Sequence, residues 1–89
     1  MDISDAGLRF PVSFDLKVIM EKGGDSVDTR TILENILVRN EIPASGWDVK
    51  TKPESRYIRY SVSVMLETRE RMDSLYRDLA EEPRVRSAI

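Results

Sequence analysis

The sequence predicts an α+β domain in the order β-α-β-β-α-β, with an antiparallel four-stranded sheet carrying two helices on one face. Two long alternating apolar rows, near residues 10–20 and 58–66, read as half-buried strands. After each row comes a segment whose apolar residues recur at three-to-four spacing, as on the inner stripe of a helix. A short alternating run before the second row, joined to it by a turn, completes a hairpin. This is the split βαβ arrangement called ferredoxin-like.

Residues 1–9 carry no pattern and read as a flexible arm, leaving residues 10–89 as one domain. In the first strand Phe10, Val12, Phe14, Leu16, Val18 and Met20 point one way, with Ser13, Asp15, Lys17 and Glu21 opposite. Gly23-Gly24 breaks it, and Asp25 or Ser26 is placed to cap a helix whose first turn holds Asp28. Val27, Ile32, Leu33, Ile36 and Leu37 form its apolar stripe, until Asn40 and Pro43 stop the run. Trp47, Val49 and Thr51 alternate with Asp48, Lys50 and Lys52; a turn at Pro53-Glu54-Ser55-Arg56 follows. Ile58, Tyr60, Val62, Val64 and Leu66 make the longest alternating row. Thr68 is positioned to cap a second helix with Met72, Leu75, Tyr76 and Leu79 on one face, and Glu67/Arg71, Arg69/Asp73 and Asp73/Arg77 as i,i+4 charge pairs. Pro83 ends it, and Arg84 to Ile89 is a closing strand.

Composition narrows the function classes. The chain has 89 residues, no cysteine, no histidine and a formal net charge of −2. A domain this small hides about two thirds of its chain's surface, so a deep private cavity is hard to house. Without cysteine or histidine there is no thiolate nucleophile, no Cys-based metal site and no imidazole base. No loop spaces carboxylates as calcium sites do, and Glu81-Glu82 at a helix end diverge. No catalytic residue, metal ligand or cofactor is therefore expected, and the chain reads as a cytoplasmic non-enzyme with no membrane span.

Two surfaces are candidates for contact. The first is the loop Gly23, Gly24, Asp25 and Ser26, at a strand end and helix start, where free amides can hold a carboxylate and Asp25 an amine. Asp25 and Asp28 would repel a phosphate there, and the plain alternative is a flexible turn with an N-cap. The second is the sheet face away from the helices, which should be open and bear Asp15, Lys17, Ile19, Asp48, Lys50, Arg59, Ser61, Ser63 and Met65. Its cations Lys17, Lys50, Lys52 and Arg59 suit a protein partner or a second copy of the chain. A further alternative is a weak RNA contact, in which the hairpin cations Lys50, Lys52, Arg56 and Arg59 touch phosphates; it is disfavoured, because the central strands lack the aromatic platforms on which bases stack, apart from Tyr57 near a strand end.

Phe10-Pro11-Val12-Ser13-Phe14 with Lys17-Val18-Ile19, the strand Tyr60-Ser61-Val62-Ser63-Val64, the helix Leu75-Tyr76-Arg77-Asp78-Leu79 and the ending Pro83-Arg84-Val85 together resemble the YbeD-like family of small bacterial proteins, a domain of unknown function. The resemblance spans nearly the whole chain. It implies a ferredoxin-like fold similar to ACT regulatory domains, and hence a small amino-acid-like ligand or a protein partner without catalysis. The family offers no catalytic residues to carry over.

Overall fold

The computed structural model describes residues 9–23 and 28–89. The flexible arm expected at residues 1–9 lies almost wholly outside these residues, as do Gly24, Asp25, Ser26 and Val27. The elements are β1 (Val12–Glu21), α1 (Thr29–Arg39), β2 (Ala44–Thr51), β3 (Tyr57–Leu66), α2 (Arg69–Glu81) and β4 (Val85–Ala88). The strands form one antiparallel sheet in the order β2-β3-β1-β4, the ferredoxin-like topology.

The two central strands set the faces. β1 and β3 pair without interruption from Val12↔Leu66 to Glu21↔Tyr57, so Leu16, Val18 and Met20 lie on the same side as Val62, Tyr60 and Ile58. Leu16, Val18, Met20, Val62 and Leu66 are fully buried, together with Leu33 of α1 and Leu75 of α2. Ile36, Leu37, Leu79, Ile42, Tyr60 and Val64 complete the core, with Phe14, Ile32, Met72 and Tyr76 packed at its margin. Burying a Leu or Val side chain is worth about 1.5–3 kcal/mol, so this single apolar layer is the main source of stability.

Capping fixes the helix ends. The structure caps α1 with Asp28, where Asp25 or Ser26 was expected: the Asp28 carboxylate accepts from the Arg30 and Thr31 amides at 3.0 and 3.3 Å and from the Thr31 hydroxyl at 2.8 Å. Three oxygen-bearing residues precede the helix, and the one nearest Thr29 makes these bonds. These hydrogen bonds, chiefly those from Thr31, hold the Asp28 carboxyl below the usual carboxylate range. Asn40 closes the helix, and its side chain donates to the Ile36 carbonyl (2.8 Å) and to Asp78 of α2 (2.9 Å). Ser74 donates to the Asn40 amide oxygen at 2.6 Å, so a polar network joins the two helices beyond the core. Thr68 caps α2 as expected, accepting from the Arg71 amide. The Arg69/Asp73 pair forms at 3.5 Å, whereas Arg71 turns to Glu41, donating to its carbonyl at 2.8 Å.

Each edge strand contains one register shift. Between Ser45↔Ser63 and Asp48↔Ser61, β2 spends three steps against two of β3. Gly46, at φ 65°, sits in this bulge, in a left-handed conformation that glycine adopts without strain. The extra residue reverses the alternation, so that Trp47 packs against the core with its ring edge-on to Tyr60, centroids 6.2 Å apart. In β4, Ile19 pairs with Ser87 and Met20 with Val85, leaving Arg86 as the inserted residue. Regular pairing would have set Arg86 opposite the fully buried Met20. The bulge lets Val85 and Ala88 both pack on the core and turns Arg86 toward Glu21.

Candidate functional site

Among the described residues no helix or loop covers the helix-free face of the sheet, and its two ends differ chemically. Toward the start of β1 it carries Ser13, Asp15, Ser63 and Met65, with the Ser63 hydroxyl donating to Asp15 at 2.8 Å. Toward the β2–β3 hairpin it carries Ile19, Glu21, Tyr57, Arg59 and Lys50. There an open groove of about 430 Å³ runs over Ile19 and Tyr57, bounded by Lys50, Lys52, Ser55 and Arg59. The groove follows from local chemistry. Ser55 takes a hydrogen bond from the Tyr57 amide at 3.1 Å, and Thr51 donates to the Tyr57 carbonyl at 3.0 Å, which closes the hairpin and leaves Tyr57 42% exposed. Lys22 reaches across to the Lys52 carbonyl at 2.7 Å, drawing the end of β1 to the hairpin.

The four cations expected on this face are therefore not equivalent in place. Lys50, Lys52 and Arg59 meet at the groove, while Lys17 lies exposed farther along β1, opposite Ser61. Sequence reasoning placed Ile19 on this face and noted Tyr57, but it did not join them into one apolar floor. The antiparallel register, which sets Ile19 opposite Arg59 and Glu21 opposite Tyr57, is the missing signal.

Of the loop Gly23, Gly24, Asp25 and Ser26, only Gly23 lies among the described residues. A Cβ on Gly23 would stand 2.6 Å from an Arg84 guanidinium nitrogen, so glycine is what lets Arg84 lie against the backbone here. Arg84 also accepts, through its carbonyl, the Glu21 amide at 2.8 Å, and Arg56 accepts the Lys22 amide at 2.8 Å. Glu21 and Arg86 are joined by two hydrogen bonds from the guanidinium to one carboxylate oxygen. The bonds from Arg86, and then the nearby charges of Arg86, Arg56 and Arg84, hold the Glu21 carboxyl below its ordinary value, while Glu21 raises that of Arg86. Of these arginines only Arg56 was singled out from the sequence, as one of the hairpin cations; Arg84 and Arg86 were not. Arg84 and Arg86 share a parity in the chain, but only the bulge brings Arg86 to Glu21.

On the opposite face, Arg30 stacks its guanidinium 4.7 Å from the centre of the Trp47 ring, and the Thr29 and Tyr60 hydroxyls are hydrogen-bonded at 2.7 Å in a buried position. This column ties the start of α1 to β2 and β3 at the root of the loop. Among the described residues no three acidic, histidine or cysteine side chains are grouped to hold a metal ion, and no helix is long and apolar enough to cross a membrane.

The chain belongs to the family described as protein of unknown function (DUF493), whose model matches residues 5–89. The class is thus that of a family without an assigned activity, in agreement with the resemblance read from the sequence. Among solved structures, protein HP0495 of Helicobacter pylori is similar over 100% of this chain and 96% of its own, at 16% identity and a TM-score of 0.67. The ACT domain from the GTP pyrophosphokinase of Chlorobium tepidum aligns over 89% of this chain and 96% of its own, at 8% identity and a TM-score of 0.68. The C-terminal domain of the MgtC protein from Mycobacterium tuberculosis aligns over 94% and 89%, at 13% identity and a TM-score of 0.65. At these identities the likeness is one of fold. No match to a curated protein is found.

Proposed function

We propose that this chain is a non-enzymatic, cytoplasmic regulatory module in which residues 10–89 act as one unit and work by binding. Its contact surface in this reading is the hairpin end of the uncovered sheet face, and its partner is a protein presenting an acidic segment with an apolar side chain. The groove over Ile19 and Tyr57, edged by Lys50, Lys52 and Arg59, is the observation that carries it. An apolar floor supplies affinity through burial, and a cationic rim selects the sign of the partner and its approach. The likeness in fold to an ACT domain that is part of a GTP pyrophosphokinase supports a module serving another protein.

The test compares proteins recovered from the native host by the wild-type chain, by Lys50→Glu/Arg59→Glu, and by Arg77→Glu on the helix layer. At least one protein should fall about tenfold with the first variant and stay with the second, as expected when two rim charges are reversed against an acidic partner. Identical recovery with both variants would sink the reading. Light scattering shows whether that partner is a second copy of the chain.

A second reading is a small amino-acid-like ligand at Gly23, Gly24, Asp25 and Ser26. The Arg84 guanidinium beside Gly23 favours it, since it would meet the ligand's carboxylate at the root of the loop. An amino acid that raises the melting temperature of the wild type, but not of Gly24→Val or Asp25→Ala, is the expected outcome; no shift with any amino acid rules it out.

A further inference from the structure

We propose that Arg84 and Arg86 of the bulged β4 end, with Arg56 of the hairpin, form a binding site for a small anion carrying more than one phosphoryl charge. The proposal stands apart from the partner-docking reading and rests on different residues. Glu21 and Arg86 are joined directly, Glu21 and Arg84 share a backbone hydrogen bond, and Lys22 and Arg56 share another. Arg86 bonds to the Glu21 carboxylate through its guanidinium and the charges of Arg84 and Arg56 also act on it, a surplus of positive charge that Glu21 cannot neutralise. A depression of about 340 Å³ lined by Glu21, Pro83, Arg84 and Arg86 lies at this place.

The chemistry favours phosphoryl oxygens over other anions. Guanidinium is planar, weakly hydrated and presents parallel N–H groups matched to two oxygens of a phosphate, where a lysine offers a point charge. Gly23 lets the Arg84 side chain lie close to the main chain, and the β4 bulge aims Arg86 at the same spot. The arrangement also contains its own competitor. Glu21 occupies Arg86 in the free protein, and an incoming anion must displace it. The site differs from the neighbouring loop, where Asp25 and Asp28 argue against phosphate, because its cations come from β4 and the hairpin.

Calorimetric titration of the full chain with pyrophosphate, at ionic strength held constant with NaCl, tests the proposal against sulfate and against a short single-stranded RNA. Pyrophosphate should bind at one site about tenfold more tightly than sulfate, Arg84→Gln/Arg86→Gln should weaken it by about tenfold, and Arg77→Gln should leave it unchanged. Glu21→Gln should tighten it several-fold by freeing Arg86, an effect that a merely structural ion pair would not give. Circular dichroism establishes that the double variant is folded, and Arg56→Gln provides a milder one. Equal affinity for sulfate, an unaffected double variant, weaker binding by Glu21→Gln, or binding of RNA without pyrophosphate would each overturn it.

Discussion

The central and edge strands of this sheet obey different rules. β1 and β3 are paired through ten consecutive positions, and their alternation in sequence is their alternation in space. β2 and β4 each carry one inserted residue that reverses parity midway. The core is therefore dictated by strict period-2 pairing in the middle of the sheet, while the edges re-aim Trp47 inward and Arg86 toward Glu21. A bulge also twists an exposed edge and makes it a poorer template for unwanted strand addition. Stability lives in the centre, and the side chains with chemical character are oriented at the margins.

Substitutions test this division directly. Leu16→Ala in β1, where the side chain is fully buried, should cost about 2–5 kcal/mol in urea unfolding, against less than about 1 kcal/mol for Val49→Ala at the edge, where 42% of the residue is exposed. Comparable losses at both positions would break the contrast. Gly46→Val comes next. The position is open, with Ser63 Oγ at 3.7 Å the nearest atom to a Cβ, so the penalty is one of backbone: a β-branched residue at φ 65° should cost about 1–3 kcal/mol. Because Trp47 is the sole tryptophan, its emission reports the bulge, and a red shift is expected as the ring leaves Tyr60. Unchanged emission and stability would show that the bulge does not hold the ring. Tyr60→Phe removes the buried hydroxyl partner of Thr29 and should cost about 1–2 kcal/mol by thermal unfolding; Thr29→Val in the same background should recover part of this, since no hydroxyl is then left unpaired.

The same contrast explains what was legible in the sequence. Phe14 through Met20 and Ile58 through Leu66 announce their faces because every second residue is apolar, and the element order follows once two helical stripes separate them. The open face and its cations were legible for the same reason. The edges were not. Val85-Arg86-Ser87-Ala88 read with period 2 groups Val85 with Ser87, whereas the fold packs Val85 and Ala88, each half-buried, against the core and leaves Arg86 between them. One inserted residue has no composition signature, and only the requirement that Met20 face an apolar neighbour selects it. Trp47 was correctly assigned to the core side, but the glycine that turns it there was not identified. The α1 cap was misplaced because several competent oxygens precede the helix. The groove and the arginine cluster are products of register, joining Ile19 to Tyr57 and Glu21 to Arg86 across the sheet and far apart in the chain.

The smallest expected effect concerns the pH dependence of the β4 edge. The fold lowers the Glu21 pKa below its ordinary value of 4.5, mainly through the hydrogen bonds from Arg86. A carboxyl whose folded pKa is depressed stabilises the fold above its ordinary pKa and loses that contribution as pH falls through the folded value. The loss from this group should therefore appear below about pH 4.5 and not near neutrality. Asp28 and Asp78 are lowered too, by Thr31 and by Asn40 respectively, and they contribute to the same acid limb. Thermal melts of the wild type and Glu21→Gln at neutral pH and near pH 3 isolate the Glu21 share. The difference in melting temperature between the two proteins should shrink on acidification, because protonated Glu21 and glutamine present Arg86 with similarly neutral partners. A gap that persists unchanged at low pH would mean that Arg86 is held by packing at the bulge and not by its carboxylate, and the edge would then be built on the same terms as the centre.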